Sequence, residues 1–421
     1  MDDVFLNRVK QGYSTAAIVL LNTIAVFVVL NVVLYGAFYV WDGGLRREPR
    51  RPPDDDKLFN SDGSPARTEK RSYYQLRWFD YTAYGAANEY VSNVLDDFYD
   101  LSRLGFVFQP WIHHSEPPFA GKLVHIDRDA AGFPIRRTIN PKADGLPVAH
   151  VFTLGGSTTF GYNVSDEHTW PSYLSTILNE RAKGIRIEIT NYGRGYFNPS
   201  QETILLTDLL KSGHRPSLLI FMDGVNPPSI TDEPNFTDEL KSAMRKIQFR
   251  PSYTEPFQWL PVMRLANFLR RRFYGKAADV DSSPPLDQVE HIRLAVNGFR
   301  QSLDLAKQIA ALYDVPTLFF LQPHTGYNYD LNLYRVPVSK SFQEMRPFFT
   351  GVYDKLKNDP GYIDLSGLFK EWGRKAVVDD VHYSPGFSQF LAQKVAQHID
   401  VQSLKPRPID VNAAARIASP R

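Results

Sequence analysis

The sequence of 421 residues contains no cysteine, which excludes disulfides, a thiolate nucleophile and cysteine-based zinc or iron–sulfur sites. It also lacks a charge excess, since 48 basic and 46 acidic side chains leave a formal net charge of +2. No long basic block with interleaved aromatics is present, so we expect no nucleic-acid partner. The histidines show no HExxH or His-x-His grouping, and we expect neither a metal site nor a cofactor.

A long apolar run lies near the N-terminus. Residues 16–41 read AAIVLLNTIAVFVVLNVVLYGAFYVW and carry no charge. At about 1.5 Å per residue, this run can cross a hydrocarbon core of roughly 30 Å with some tilt. It is longer than a signal-peptide core of about 7–15 residues, and no A-x-A cleavage site follows directly. We therefore expect an uncleaved, single-pass transmembrane helix that contacts membrane lipid.

The charges around this run bear on its direction. Arg8 and Lys10 precede it, while four arginines follow it at positions 46, 47, 50 and 51. Counted by the positive-inside rule, they place the rest of the chain in the cytoplasm.

The chain divides into segments of different composition. Residues 42–72 are charged and proline-rich, which is typical of a linker. In the segment that follows, apolar residues have helical spacing around Val94 and Phe98, and two short extended pieces flank a turn at Gly132. The expected boundaries are an N-terminal segment 1–15, a transmembrane helix 16–41, a linker 42–72, an N-terminal extension 73–146, a main domain 147–400 with an insertion at about 251–285, and a tail 401–421.

The main domain shows apolar runs of strand length that alternate with helical segments. The runs are VAHVFTL, IRIEITN, SLLIFMD, PTLFFLQ and YIDLSG. Near-continuous apolar strands of this kind are typical of a parallel sheet with helices on both faces. The sequence therefore predicts a doubly wound α/β domain, with its chemistry beyond the carboxyl ends of the strands.

Two short motifs supply the elements of a nucleophilic site. Ser157 follows two glycines at the end of the first strand, where the backbone can turn sharply and a substrate can approach the Ser157 amide. Near the other end of the chain, Asp379 and His382 are three residues apart in a turn before a helix. This spacing lets the carboxylate orient the imidazole towards Ser157. Asp380 is the alternative orienting residue.

Donors for an oxyanion are expected after the second and third strands. Gly193 and Gly195 follow the second strand, and either backbone N–H is a candidate. Asn226 follows the third strand, where its side-chain amide can donate to a developing negative charge.

These blocks resemble those of the SGNH hydrolases, also called GDSL-like lipases and acylhydrolases. The resemblance covers residues 149–399 and includes GGSTTFG, NYGRGYFNPSQE, GVNP and the D-x-x-H of Asp379 and His382. It implies the SGNH or flavodoxin-like three-layer fold, Ser157 as nucleophile, Gly195 and Asn226 as oxyanion donors, and His382 as base. GGST replaces the usual GDS, and Pro227 replaces the usual Asp. The resemblance also favours an exported domain, whereas the charge count places this domain in the cytoplasm.

The implied activity is hydrolysis of an acyl or O-acetyl ester by a Ser–His–Asp mechanism, with an ester-bearing small molecule, lipid or glycan as substrate. An O-acyltransferase of an envelope glycan or lipid would use the same three residues and differ only in the acceptor. A catalytically silent binding or scaffold module is the alternative from another class.

Overall fold

The computed structural model describes residues 3–41, 79–142, 145–228, 260–263, 265–266, 269, 287–333 and 340–407. The expected linker, most of the insertion at 251–285 and most of the tail lie outside these residues. The chain forms two compact units. One comprises Met1–Asp55 and Asp238–Pro285, and the other comprises Asp56–Thr237 and Leu286–Arg421. We call the second the α/β unit.

The first unit contains helix α1, Asp3–Trp41. The helix begins well before position 16, because the polar residues that precede the apolar run include no proline to stop it. Its segment Lys10–Ala37 has a mean hydropathy of 2.7. By length and composition this segment meets the criterion for a membrane span. A signal sequence near the N-terminus meets the same criterion.

The α/β unit contains the remaining named elements. Its helices are α2 (Asn88–Leu104), α3 (Ser157–Phe160), α4 (Trp170–Arg181), α5 (Pro199–Lys211), α6 (Gln288–Ala311), α7 (Lys340–Leu356), α8 (Leu368–Trp372) and α9 (Pro385–Ala396). Its strands are β1 (Val107–Gln109), β2 (His113–Ser115), β3 (Phe119–Ala120), β4 (His125–Arg128), β5 (Pro134–Arg136), β6 (Val148–Gly155), β7 (Arg186–Asn191), β8 (Leu218–Asp223), β9 (Thr317–Leu321) and β10 (Ile363–Asp364).

Eight strands form one sheet in the order β10-β9-β8-β6-β7-β5-β4-β3. Neighbours from β10 to β7 are parallel, and their order is that of a flavodoxin-like doubly wound sheet, as predicted. The sheet as a whole is mixed, however, because β5, β4 and β3 add antiparallel strands beyond β7. The short loop at Gly132 joins β4 to β5, and a loop of this length permits only an antiparallel pairing. Most of the strands in the expected extension 73–146 are therefore part of the main sheet.

Helices cover both faces of the sheet, as the near-continuous apolar strands predict. In β6, Ala149 and Val151 are buried on the face covered by Trp170 and other residues of α4 and α9. Phe152 and Leu154 are buried on the opposite face, among residues of α5, α6 and α7. The alternation follows from the two-residue period of a strand.

Helix α2 packs against the edge of the sheet that carries the candidate site. Val94 and Phe98 are buried in a cluster that also contains Phe160, from α3, and Val378. These two partners are close in sequence to Ser157 and Asp379. The helix predicted from the spacing of Val94 and Phe98 is thus present, and its apolar face packs against both segments of the candidate site.

Two buried carboxyl groups influence each other's ionisation at the carboxyl end of β8. The Glu202 side chain of α5 and the Asp223 side chain at the end of β8 are both buried, and the charge of Asp223 acts on Glu202. Burial raises the pKa of Asp223 to about 7, and burial together with the Asp223 charge raises the pKa of Glu202 well above its usual value. The pair therefore retains protons at pH values where the unfolded chain has lost them.

We predict that the folded state loses stability as the pH rises from the ordinary Asp value, 3.8, through about 7, because the unfolded state releases these protons first. Glu202→Gln removes one of the two ionisable groups at nearly constant volume, so the fall in Tm over this range should be smaller. Thermal unfolding of the full chain in detergent across this range measures the difference. Glu371→Gln, at an exposed site, is the matched control, and a slope equal to that of wild type in Glu202→Gln would contradict the prediction.

Candidate active site

Ser157 is the first residue of α3, at the carboxyl end of β6. The two glycines before it are required by space. A Cβ on Gly155 would lie 2.2 Å from Thr159 Oγ1, and one on Gly156 would lie 2.5 Å from Asn226 Nδ2. The glycine pair therefore lets the chain turn from strand to helix with the Asn226 amide against it.

The structure brings Ser157 together with His382 and Asp379. The distance from His382 Nε2 to Ser157 Oγ is 2.9 Å, and the distance from His382 Nδ1 to Asp379 Oδ2 is 2.7 Å. Because the carboxylate only accepts, Nδ1 is assigned the proton, and Nε2 then accepts from the Ser157 hydroxyl. This arrangement can deprotonate Ser157 during attack on an electrophile.

The backbone around His382 is fixed by the carboxylate of Asp379. Asp379 Oδ1 accepts the N–H groups of Val381 at 2.8 Å and of His382 at 2.7 Å. The Val378 N–H also donates to the His382 carbonyl at 2.9 Å. Burial would raise the pKa of Asp379, but the charge of His382 and the hydrogen bonds from His382 and Val381 outweigh it, and the pKa lies below its usual value. Asp379, not Asp380, is the residue bonded to the imidazole.

Asn163 is a partner of Asp379 that the sequence did not reveal. Its Nδ2 donates to Asp379 Oδ2 at 2.7 Å, so this oxygen receives hydrogen bonds from both Asn163 and His382. Asn163 has φ of 64°, in the left-handed region, which asparagine adopts more readily than most residues. The Tyr84 hydroxyl, from the extension, donates to the Asn163 carbonyl at 2.9 Å. The extension thus helps to hold the carboxylate in place.

Asn226 lies where an oxyanion donor is expected. Its Nδ2 donates to the Phe197 carbonyl at 2.8 Å, and an amide nitrogen carries a second N–H. The contact of Nδ2 with the Cβ position of Gly156 places that amide beside the Gly156–Ser157 peptide. The Ser157 N–H is the first of α3, where the helix itself supplies no acceptor. These two N–H groups are therefore suitable donors to one oxyanion.

The backbone N–H groups of the two candidate glycines, Gly193 and Gly195, already have acceptors within the protein. The Gly193 N–H donates to Asn191 Oδ1 at 2.9 Å, and the Gly195 N–H donates to Glu116 Oε1 at 2.6 Å. Both amides are thus engaged within the protein in this structure. A contribution of Gly195 to the oxyanion site requires that its N–H leave the Glu116 carboxylate.

Two residues of the extension hydrogen-bond the backbone of Gly195, His114 at its carbonyl and Glu116 at its N–H. His114 Nε2 lies 2.9 Å from the Gly195 carbonyl oxygen, which can only accept, so Nε2 carries the proton. Burial lowers the pKa of His114 and favours the neutral ring. Glu116 Oε1 also accepts from the Tyr162 hydroxyl at 3.0 Å, and the Tyr162 ring stacks on His382 with centroids 5.5 Å apart. Gly195 and His382 are therefore linked through Glu116 and Tyr162.

The loop after β9 also contributes to the site. Gln322 Oε1 accepts from the Thr158 hydroxyl at 2.7 Å and so fixes α3 next to Ser157. Among the residues that the structure describes, no group of three or more His, Asp or Glu side chains could hold a metal ion. The groups that the site offers are a serine hydroxyl, an oriented histidine ring and amide N–H donors.

No family model matches the sequence, and no curated protein matches it significantly. Solved structures with a similar fold include a lipolytic protein of the G-D-S-L family from Veillonella parvula DSM 2008 (11% identity, 60% of this chain and 98% of that chain, TM-score 0.34). They also include the psychrotrophic esterase EstA from Pseudoalteromonas sp. (9% identity, 59% and 94%, TM-score 0.31) and a two-domain esterase active on acetylated mannans (13% identity, 62% and 51%, TM-score 0.33).

We predict that Asn163→Gly and Asn163→Ala both lower kcat by about tenfold, because each removes one hydrogen bond from the Asp379 carboxylate. The two variants should differ in stability. Alanine in the left-handed conformation costs about 1–2 kcal/mol relative to glycine, so Asn163→Ala should have the lower Tm. Steady-state kinetics on an activated ester and thermal unfolding separate the two effects. Wild-type kcat in the glycine variant would show that the Asn163 amide does not support the site.

Proposed function

We propose that this protein is a serine esterase in which Ser157 is the nucleophile, His382 the general base and Asp379 the residue that orients the base. The observation that carries the proposal is the continuous chain of hydrogen bonds from Asp379 Oδ2 through His382 to Ser157 Oγ, with distances of 2.7 and 2.9 Å. Each distance lies in the range required for proton transfer. The three residues also stand next to amide donors at the carboxyl edge of the sheet.

The reaction proceeds in two steps. Ser157 Oγ attacks the carbonyl carbon of the ester while its proton passes to His382 Nε2, and the negative charge of the tetrahedral intermediate is stabilised by the Ser157 N–H and the Asn226 amide. The intermediate expels the alcohol, which takes the proton from His382. Water then attacks the acyl group, gives a proton to His382, and releases the acid as Ser157 regains its proton.

The substrate class is an acyl or O-acetyl ester on a small molecule, lipid or glycan. Acyl transfer to a sugar hydroxyl of an envelope glycan or lipid is the second candidate activity, since the acyl-enzyme is common to both reactions. A catalytically silent binding or scaffold module would gain nothing from the hydrogen bonds that Asp379 receives from Asn163 and from the His382 ring.

The apolar helix α1 would anchor the enzyme to a membrane as a single-pass protein. The segment Lys10–Ala37, with mean hydropathy 2.7, supports this proposal. The family resemblance favours placing the α/β unit on the extracytoplasmic side.

We predict that the full chain in detergent hydrolyses p-nitrophenyl acetate and that Ser157→Ala and His382→Ala lower kcat by on the order of 10⁴–10⁶. Asn226→Ala should cost about 10²–10³, because it removes one oxyanion donor. Continuous measurement of p-nitrophenolate release gives these values. Equal rates in wild type and Ser157→Ala, with both proteins folded, would exclude the serine esterase.

The carboxylates offer a matched pair of variants. Asp379→Asn should lower kcat by about 10⁴, since an asparagine favours the wrong tautomer of His382. Asp380→Asn, one residue further on, should keep kcat near that of wild type. A larger loss in Asp380→Asn than in Asp379→Asn would reassign the orienting residue.

A further inference from the structure

A hairpin of the α/β unit exposes an unusual set of large apolar side chains. Strands β1 and β2 form their own two-stranded sheet. Leu104 and Phe108 are each 58% exposed, Trp111 is 79% exposed and Val107 is 40% exposed. Leu104 is the last residue of α2, and the other three lie in the hairpin. We call these four residues the hairpin patch. Single exposed apolar residues are common on protein surfaces, but four between positions 104 and 111 concentrate apolar surface in one short segment, which is typical of an interaction site.

The exposure is not the result of a loosely held hairpin. Ile112, directly after Trp111, is buried in the main core. His114, two residues after Ile112, hydrogen-bonds the Gly195 carbonyl. Trp111 itself has φ of 69°, a left-handed conformation that is rare for a large aromatic residue and persists only where the surroundings enforce it. The fold therefore holds the Trp111 ring away from the core.

The hairpin lies close to the Gly195–Tyr196 segment next to the candidate active site. The Phe106 ring, between Leu104 and Val107, lies 4.7 Å from the His114 ring and 6.0 Å from the Tyr196 ring, measured between centroids. Tyr196 follows Gly195 directly. A surface that bound the hairpin patch would thus lie near the Gly195–Tyr196 segment.

The composition of the hairpin is that of a membrane-interface segment. Residues 101–115 read LSRLGFVFQPWIHHS and include no acidic residue, while Arg103 supplies a positive charge. Tryptophan and phenylalanine favour the headgroup region of a bilayer, and aliphatic side chains favour its acyl region. A sugar ring would stack on Trp111 or Phe108 but would leave the aliphatic Leu104 and Val107 without a role.

We propose that the hairpin patch docks the α/β unit on a lipid bilayer, with Trp111 and Phe108 at the boundary between headgroups and acyl chains. The proposal rests on the membrane-spanning role proposed for α1, which keeps the bilayer within reach of the α/β unit. In this position the Gly195–Tyr196 segment lies near the membrane surface. An ester carried by a membrane-embedded amphiphile can then reach Ser157 without leaving the bilayer completely.

The absence of cysteine makes a direct test simple. Trp111→Cys and Phe108→Cys in the full chain are each labelled with a nitroxide and reconstituted in nanodiscs of equimolar phosphatidylcholine and phosphatidylglycerol. Electron paramagnetic resonance measures the collision of each label with apolar oxygen and with a polar nickel chelate. We expect a ratio of oxygen to nickel accessibility above unity at both positions, because oxygen concentrates in the bilayer and the chelate is excluded from it.

Leu312→Cys is the matched control, since Leu312 is 81% exposed. It lies at the end of α6, just before β9, and therefore near the amino edge of the parallel strands, opposite Ser157. Its ratio should remain below unity. Val28→Cys, in the middle of α1, should give a high ratio if α1 spans the bilayer.

A ratio below unity at Phe108 and Trp111, with a high ratio at Val28, would overturn the proposal while leaving the anchor intact. Low ratios at all three positions would reject the anchor and the docking together. Dipolar broadening between labels at Trp111 would identify a second copy of the chain as the occupant and would likewise overturn it. None of these outcomes depends on ester hydrolysis, so a failure of the proposed activity is recognised separately.

Discussion

The hydrogen bonds of the Asp379 carboxylate are the constraint on which the candidate site depends. One oxygen accepts the backbone N–H groups of Val381 and His382, and the other accepts from the His382 ring and Asn163. The same side chain therefore shapes the turn, sets the tautomer of the imidazole and aims it at Ser157. A partly buried carboxylate with this many donors stays ionised, which is why its pKa lies below the usual value despite the loss of solvent.

The doubly wound sheet explains how distant parts of the chain meet at this point. His382 and Ser157 are 225 positions apart, yet Ser157 ends β6 and Asn226 follows the neighbouring β8. Parallel strands present their carboxyl ends at one edge, and the change of winding direction at β6 leaves a crevice there. The turn at Asp379 is brought to the same crevice by α9, which packs against α4.

The sequence predicted those parts of the fold and site that are encoded locally. The five apolar runs, the glycines before Ser157 and the Asp379–His382 spacing each lie within a few residues, and the structure has the corresponding strands and contacts. The sequence did not predict the roles of Asn163 and Glu116. These roles depend on contacts across the fold, that of Asn163 with Asp379 and that of Glu116 with Gly195. The antiparallel strands β3 to β5 were also underestimated, since pieces of two to four residues carry little periodicity.

In the proposed mechanism, His382 activates Ser157 as a nucleophile. A fluorophosphonate probe reacts covalently with an activated serine hydroxyl, and mass spectrometry of the labelled full chain locates the modified residue. We expect stoichiometric labelling at Ser157 that is lost in His382→Ala, although the serine itself is retained. Labelling of another serine, or equal labelling with and without His382, would contradict this role of His382.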